Sequence, residues 1–129
     1  MKLITINSKD APKAIGPYSQ AIRMGDFLFT SGQIAIDPRT NEFISEGIEK
    51  QTELVLKNLE AVLKEGGASL KSVIKTSVYL KSMKDFPVMN SIYEKFFFEN
   101  KPARSTVEVA SLPKGALVEI DAVAMIEGK

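Results

Sequence analysis

The period of the apolar residues switches along this chain, and the switch limits the folds open to it. From about Glu46 to Glu65 the pattern is helical: Ile48, Thr52, Val55, Leu59 and Val62 make one stripe, widened by Leu56 and Leu63. From Val73 to Leu80 the apolar residues alternate and many are β-branched, which predicts a strand. A helix with one apolar stripe must bury it, and a sheet with one apolar face supplies the surface.

The other elements follow from local chemistry. Leu3 to Ile6 reads as a short first strand, followed by a polar loop carrying Ile15-Gly16-Pro17-Tyr18-Ser19. Gln20 to Met24 and Phe27 to Thr30 read as a hairpin turning at Gly25-Asp26. Ser31-Gly32-Gln33 interrupts its second strand, and a glycine there marks a bulge or a close backbone approach. Asp37-Pro38-Arg39-Thr40-Asn41 reads as a turn. Gly66-Gly67 ends the first helix. Asp85 is the candidate cap of a second helix, with Pro87 in its first turn and Phe86, Met89, Ile92, Tyr93, Phe96 and Phe97 for its core. Pro102 closes that helix; Arg104 to Ala110 and Leu117 to Met125 are the last strands, linked through residues 111–116. The order β-β-β-α-β-α-β-β predicts one α+β domain over residues 1–129, a mixed sheet with two helices on one face.

What the chain lacks narrows its chemistry. It has neither histidine nor cysteine. Disulfides, thiolate catalysis, Cys-type zinc sites and histidine-assisted serine nucleophiles are therefore excluded, and no metal or cofactor is expected. Seventeen basic and sixteen acidic residues give a formal charge of +1, too little for long-range steering onto nucleic acid or an anionic membrane. The N-terminal apolar stretch is too short for a signal peptide, and none approaches the roughly 18 residues of a membrane span. A soluble cytoplasmic protein is expected.

Arg104 stands where a proline ends a helix and a β-branched run begins. Its planar fork of donors suits a carboxylate or a phosphate. Arg104, Thr106 and Glu108 share one face of their strand; Glu119 and Asp121 share one face of the next. Paired as a hairpin, the two strands could bring these polar rows to one side, leaving the rows beginning at Ser105 and Val118 to pack under the helices. The alternative for Arg104 is a structural ion pair with Glu108 or Glu119. The plainer reading of Tyr18 is a loop anchor, of Gly32 a simple bulge, and of Asn90 a solvated or capping residue.

Four segments in order carry more than any one alone: 15–21 (IGPYSQA), 30–34 (TSGQI), 90–97 (NSIYEKFF) and 102–109 (PARSTVEV). From about residue 2 to residue 126 the chain resembles the Rid family, the reactive intermediate deaminases, also called the YjgF or translation-inhibitor endoribonuclease family. That resemblance implies a chorismate-mutase-like fold and a homotrimer with three clefts between subunits. It implies hydrolysis of 2-imino acids such as 2-iminopropanoate and 2-iminobutanoate to 2-oxo acids and ammonia, protecting pyridoxal-phosphate enzymes from these imines and their enamines.

By the same resemblance, Arg104 binds the substrate carboxylate, Glu119 positions or activates water, and Tyr18 helps seat the substrate. The backbone at Ser31 and Gly32 approaches the imine, and Asn90 is another cleft position. Thr106 stands where some relatives carry cysteine, so a change of substrate preference is implied rather than loss of activity. Two rival readings remain. One is an endoribonuclease, disfavoured by the near-neutral charge and missing histidine. The other is a non-enzymatic trimer acting as a metabolite-binding or chaperone-like protein, which could keep Arg104 without needing Glu119.

Overall fold

The computed structural model describes residues 2–128. The two ends of the expected domain, Met1 and Lys129, lie outside the described residues. A six-stranded sheet is formed by β1 (Leu3–Ile6), β2 (Ala21–Met24), β3 (Phe27–Thr30), β6 (Val73–Leu80), β7 (Ala103–Glu108) and β8 (Val118–Met125), in the order β1-β2-β3-β8-β6-β7. Helices α1 (Ile48–Glu65) and α2 (Phe86–Phe96) contact each other and cover one face. A two-stranded ribbon, β4 (Ile36–Asp37) with β5 (Glu42–Phe43), brackets the expected turn. These strands are too short to leave an alternating signature. Their turn is held by Asp37 Oδ1, which accepts from the Arg39 backbone N–H at 2.9 Å, and by Asn41 in the left-handed region.

The apolar stripe of α1 is the centre of the core. Val55, Leu56, Leu59, Val62 and Leu63 are fully buried, together with Leu28, Val78, Leu80, Met89 and Ile120. Each such side chain contributes about 1.5–3 kcal/mol of transfer free energy. The α1 terminus follows expectation: Gly67 takes a φ of +90° just past the last turn. The start of α2 does not. Asp85 makes no side-chain capping bond. Ser82 instead accepts from the Lys84 backbone N–H at 3.2 Å and opens a 3-10 turn that runs into the helix.

The last two strands do not form a hairpin. β7 pairs in parallel with β6, Thr76 opposite Arg104 and Val78 opposite Thr106, with α2 as the crossover. β8 lies on the other side of β6, Tyr79 opposite Glu119 and Val78 opposite Ile120. Cross-strand partners point the same way. Arg104, Thr106 and Glu108 therefore share the helix-covered face with Thr76, Val78 and Leu80, while Glu119 and Asp121 share the opposite face with Tyr79 and Ser77. The row beginning at Val118 packs under the helices as expected; the row containing Ser105 and Val107 does not. That uncovered face also carries Leu3, Met24, Phe27, Phe29 and Met125, all exposed.

Candidate active site

Two separate clusters collect the residues singled out from the sequence. The first is built on β7 and α2. The Arg104 guanidinium lies 4.8 Å from the Tyr93 ring centroid and 5.5 Å from that of Phe86, a stacking that fixes its plane. Its Nη1 donates to Asn90 Oδ1 at 2.8 Å. Tyr93 is in turn anchored through a 2.7 Å hydrogen bond between its hydroxyl and Thr76 Oγ1. Burial pushes the Tyr93 hydroxyl's pKa up, with the Thr76 bond and the Arg104 charge acting against it. Thr106, one row along, has a buried Oγ1 with no hydrogen-bond partner among the described residues.

The expected ion pairs are absent from this cluster. Among the described residues Arg104 bridges to neither Glu108 nor Glu119; Glu108 accepts from the Met83 backbone N–H at 2.8 Å. One N–H of a five-donor fork is used by Asn90, and the rest of the fork suits an incoming anion.

The second cluster lines a cavity of about 610 Å³ and includes Tyr18, Ser31, Gly32 and Glu119. The β3 ladder breaks beside it. Thr30 Oγ1 accepts from the Ala122 backbone N–H at 3.0 Å, and pairing resumes only where Gln33 and Ile120 exchange backbone bonds of 2.9 and 3.1 Å. The carboxylate of Glu119 fills the gap. A β-carbon on Gly32 would lie 2.7 Å from Glu119 Cδ and 2.9 Å from Cγ. Gly32 is thus a close approach as well as a break in the ladder. Burial, and then the charge of Asp121, raise the pKa of Glu119 above its ordinary value.

Ser31 commits its hydroxyl to the Ser19 carbonyl at 2.6 Å, and its N–H to that of Gln20 at 2.9 Å. The Tyr18 N–H closes a tight turn on the Gly16 carbonyl at 2.9 Å, and its exposed ring stands over Gly16. Loop anchor and cavity wall are here the same residue.

Three buried amides support this wall and escaped the sequence reading. Gln20 Nε2 donates to the Ser8 and Pro12 carbonyls at 3.1 and 2.7 Å and so holds the loop that carries Tyr18. Asn58 Nδ2 donates to the Ile36 carbonyl at 2.8 Å and fixes β4 at the cavity edge. Gln51 Oε1 accepts from the Leu117 N–H at 2.9 Å, just before β8 begins. For Gln51 and Asn58 the signal was spacing: Gln51, Val55, Asn58 and Val62 recur at four and three residues, on the buried stripe.

Among the described residues no three Asp or Glu side chains gather as a metal site, and no helix is long and apolar enough to cross a membrane. Fold and clusters together define a YjgF-type α+β domain. Residues 8–126 match the family described as Endoribonuclease L-PSP. A RutC family protein of Pyrococcus abyssi is 52% identical over 122 residues, 95% of this chain and 96% of that one. The chloroplastic Reactive Intermediate Deaminase A of Arabidopsis thaliana is 44% identical over 126 residues, 98% of this chain and 67% of that one. The crystal structure of E. coli TdcF with bound serine superposes with a TM-score of 0.90 at 39% identity, covering 95% of this chain and 98% of that one. The chain belongs to the Rid family.

Proposed function

We propose that this protein hydrolyses reactive 2-imino acids to 2-oxo acids and ammonia, in clefts shared between neighbouring copies of a homotrimer. One observation carries the reading: Arg104 and Glu119 face opposite sides of one sheet, and each stands in a cluster that lacks what the other offers. A head-to-tail ring of subunits brings the β7 cluster of one copy to the cavity of the next. The exposed apolar residues of the uncovered face favour such association. A deaminase named among the relatives and a serine bound in TdcF support a small substrate of amino-acid type.

The chemistry needs little beyond orientation. Arg104, steadied by Asn90, Tyr93 and Phe86, grips the substrate carboxylate, and Thr106, its hydroxyl oxygen buried, shapes the wall beside it. Tyr18 and the Ser31–Gly32 backbone wall the imine. Glu119 takes a proton from water as the water oxygen bonds to the iminium carbon. That proton then moves to the nitrogen; the C–N bond breaks as Glu119 takes the carbinol hydroxyl proton, leaving the carbonyl of the 2-oxo acid, and the ammonia released carries that proton away as ammonium. An iminium is already electrophilic, so positioning and one carboxylate suffice.

The test is subunit complementation. Imines are generated by an amino-acid oxidase and trapped with semicarbazide, and the protein's effect on imine survival is read. Arg104→Ala and Glu119→Gln are each expected to be inactive. Unfolded together in equal amounts and refolded, they should regain about one quarter of native activity, since a native cleft draws each intact residue from a different chain. No recovery despite mixed assembly overturns the shared site. Cleavage of RNA, favoured by the family's description, is the competing activity. RNA breakdown that depends on Arg104 and Glu119, without imine loss, would replace the deaminase reading.

A further inference from the structure

We propose that Asp121 is a positioning residue for this reaction: set against Ser77 and Tyr79 on the same face of the sheet, it acts through its charge on the Glu119 carboxylate two residues away. The inference rests on the reading of Glu119 as the base. Glu119 and Asp121 are two residues apart on β8 and point to the same, uncovered face of the sheet. Ser77 lies directly opposite Asp121 on β6, and Tyr79 lies opposite Glu119. Burial raises the Asp121 pKa above its ordinary value, and hydrogen bonds from the Tyr79 and Ser77 hydroxyls hold that rise back. Among the described residues no such donor opposes the rise at Glu119, which burial and then the neighbouring Asp121 charge produce. Of two carboxylates both shifted upward by burial, the one with hydroxyl donors loses its proton more readily, and its charge then bears on the other.

The remaining charged and titratable groups of the same chain do not cancel this effect, and the Arg104 that the proposed assembly brings from the next copy is common to every variant compared. Tyr79 faces Glu119 from β6; Tyr18, Lys13 and Lys114 line the same cavity from the loop before β2 and the turn before β8. On the Asp121 side Lys75 shares the face, but its Nζ donates to Ser105 Oγ at 3.1 Å, toward β7. From β3 and β7 this face receives Phe27, Phe29, Ala103, Ser105 and Val107, none of them charged. Asp121 is therefore the one negative charge fixed beside Glu119 among the described residues. A carboxylate made more basic by its neighbour is a better acceptor for the water proton.

The experiment is the pH profile of kcat/KM for native protein, Asp121→Asn, Asp121→Glu and Glu119→Gln. Asp121→Asn keeps an acceptor for Ser77 and Tyr79 while removing the charge. Its acid limb should move to lower pH, with the plateau within about tenfold of native, and Asp121→Glu should return the limb toward its native position. A lowered plateau with an unmoved limb overturns the proposal and leaves Asp121 a structural residue. Should Asp121→Asn not assemble, carboxyl carbon-13 titrations of native protein and Glu119→Gln decide: if the pair is coupled, the Asp121 curve of native protein carries a second inflection where Glu119 ionises, lost in the variant, and identical curves overturn the proposal. Turnover retained in Glu119→Gln fails differently, by removing the base assignment itself.

Discussion

Replacing Gly32 by alanine perturbs the Glu119 carboxylate and little else. Gly32 is not in the left-handed region, so alanine is acceptable to the backbone and only space is at issue. The new β-carbon would lie 2.7 Å from Glu119 Cδ and 2.9 Å from Cγ, where non-bonded carbons rest about 3.5–4.0 Å apart. The overlap approaches roughly 1 Å, and the flexible side chain of Glu119 can relieve it by rotating away. A misplacement of that size costs about 10²-fold, and a general base in full about 10²–10⁴-fold. We expect kcat/KM for 2-iminobutanoate to fall about 100- to 1000-fold, approaching Glu119→Gln. Binding of 2-oxobutanoate, which depends on Arg104, should change by less than about threefold, measured by calorimetry. The decisive comparison is the double variant. If Gly32→Ala acts only through Glu119, then Gly32→Ala/Glu119→Gln is no slower than Glu119→Gln alone. Native-like turnover in Gly32→Ala, or a double variant slower by the product of the two single effects, would refute the reasoning.

Arg104→Lys keeps the charge but loses the planar stack on Tyr93 and the two-pronged grip, so kcat/KM should drop about 10- to 100-fold, mainly through KM; steady-state kinetics with the trapping assay check this. Thr52→Val removes a buried hydroxyl that has no partner among the described residues and should raise stability by about 1 kcal/mol, read from urea midpoints. Glu119 must be ionised to act as base, and its pKa is raised, so activity should fail on acidification at a pH above the ordinary carboxylate range. The same shifts on Glu119 and Asp121 mean that the folded chain binds protons more readily than the unfolded one. Their contribution to stability is therefore greatest below the unfolded carboxylate range and declines as pH rises through the folded values. Urea midpoints across that window should slope less in Glu119→Gln.

Element positions were legible because the signals are local. The α1 stripe, the β2–β3 hairpin at Gly25-Asp26 and the alternation of β6 all lie where spacing and turn chemistry put them. Neighbour relations were not. Alternation says that Arg104 and Thr106 share a face, but not which face of the sheet that is. The nine residues between β7 and β8 look like a hairpin connection and instead cross the end of β6. The site followed the same division. Its residue types were readable, as was the close approach at Gly32, whereas the separation of Arg104 from Glu119 depends on the order of three strands. Gln20, Gln51 and Asn58 were passed over because an amide reads as solvated until its buried carbonyl or N–H partner is known.

The strand order has a further consequence for how the molecule comes into being. β8 is the last strand in sequence, yet it sits third from the far edge, between β3 and β6. Until it emerges during synthesis, the nascent chain holds a β1–β2–β3 meander and a β6–α2–β7 unit with no strand joining them, each with an open hydrogen-bonding edge. Insertion of β8 closes both edges at once. It also seats Glu119 against Gly32, so a molecule stalled before that step has neither a continuous sheet nor its cavity carboxylate.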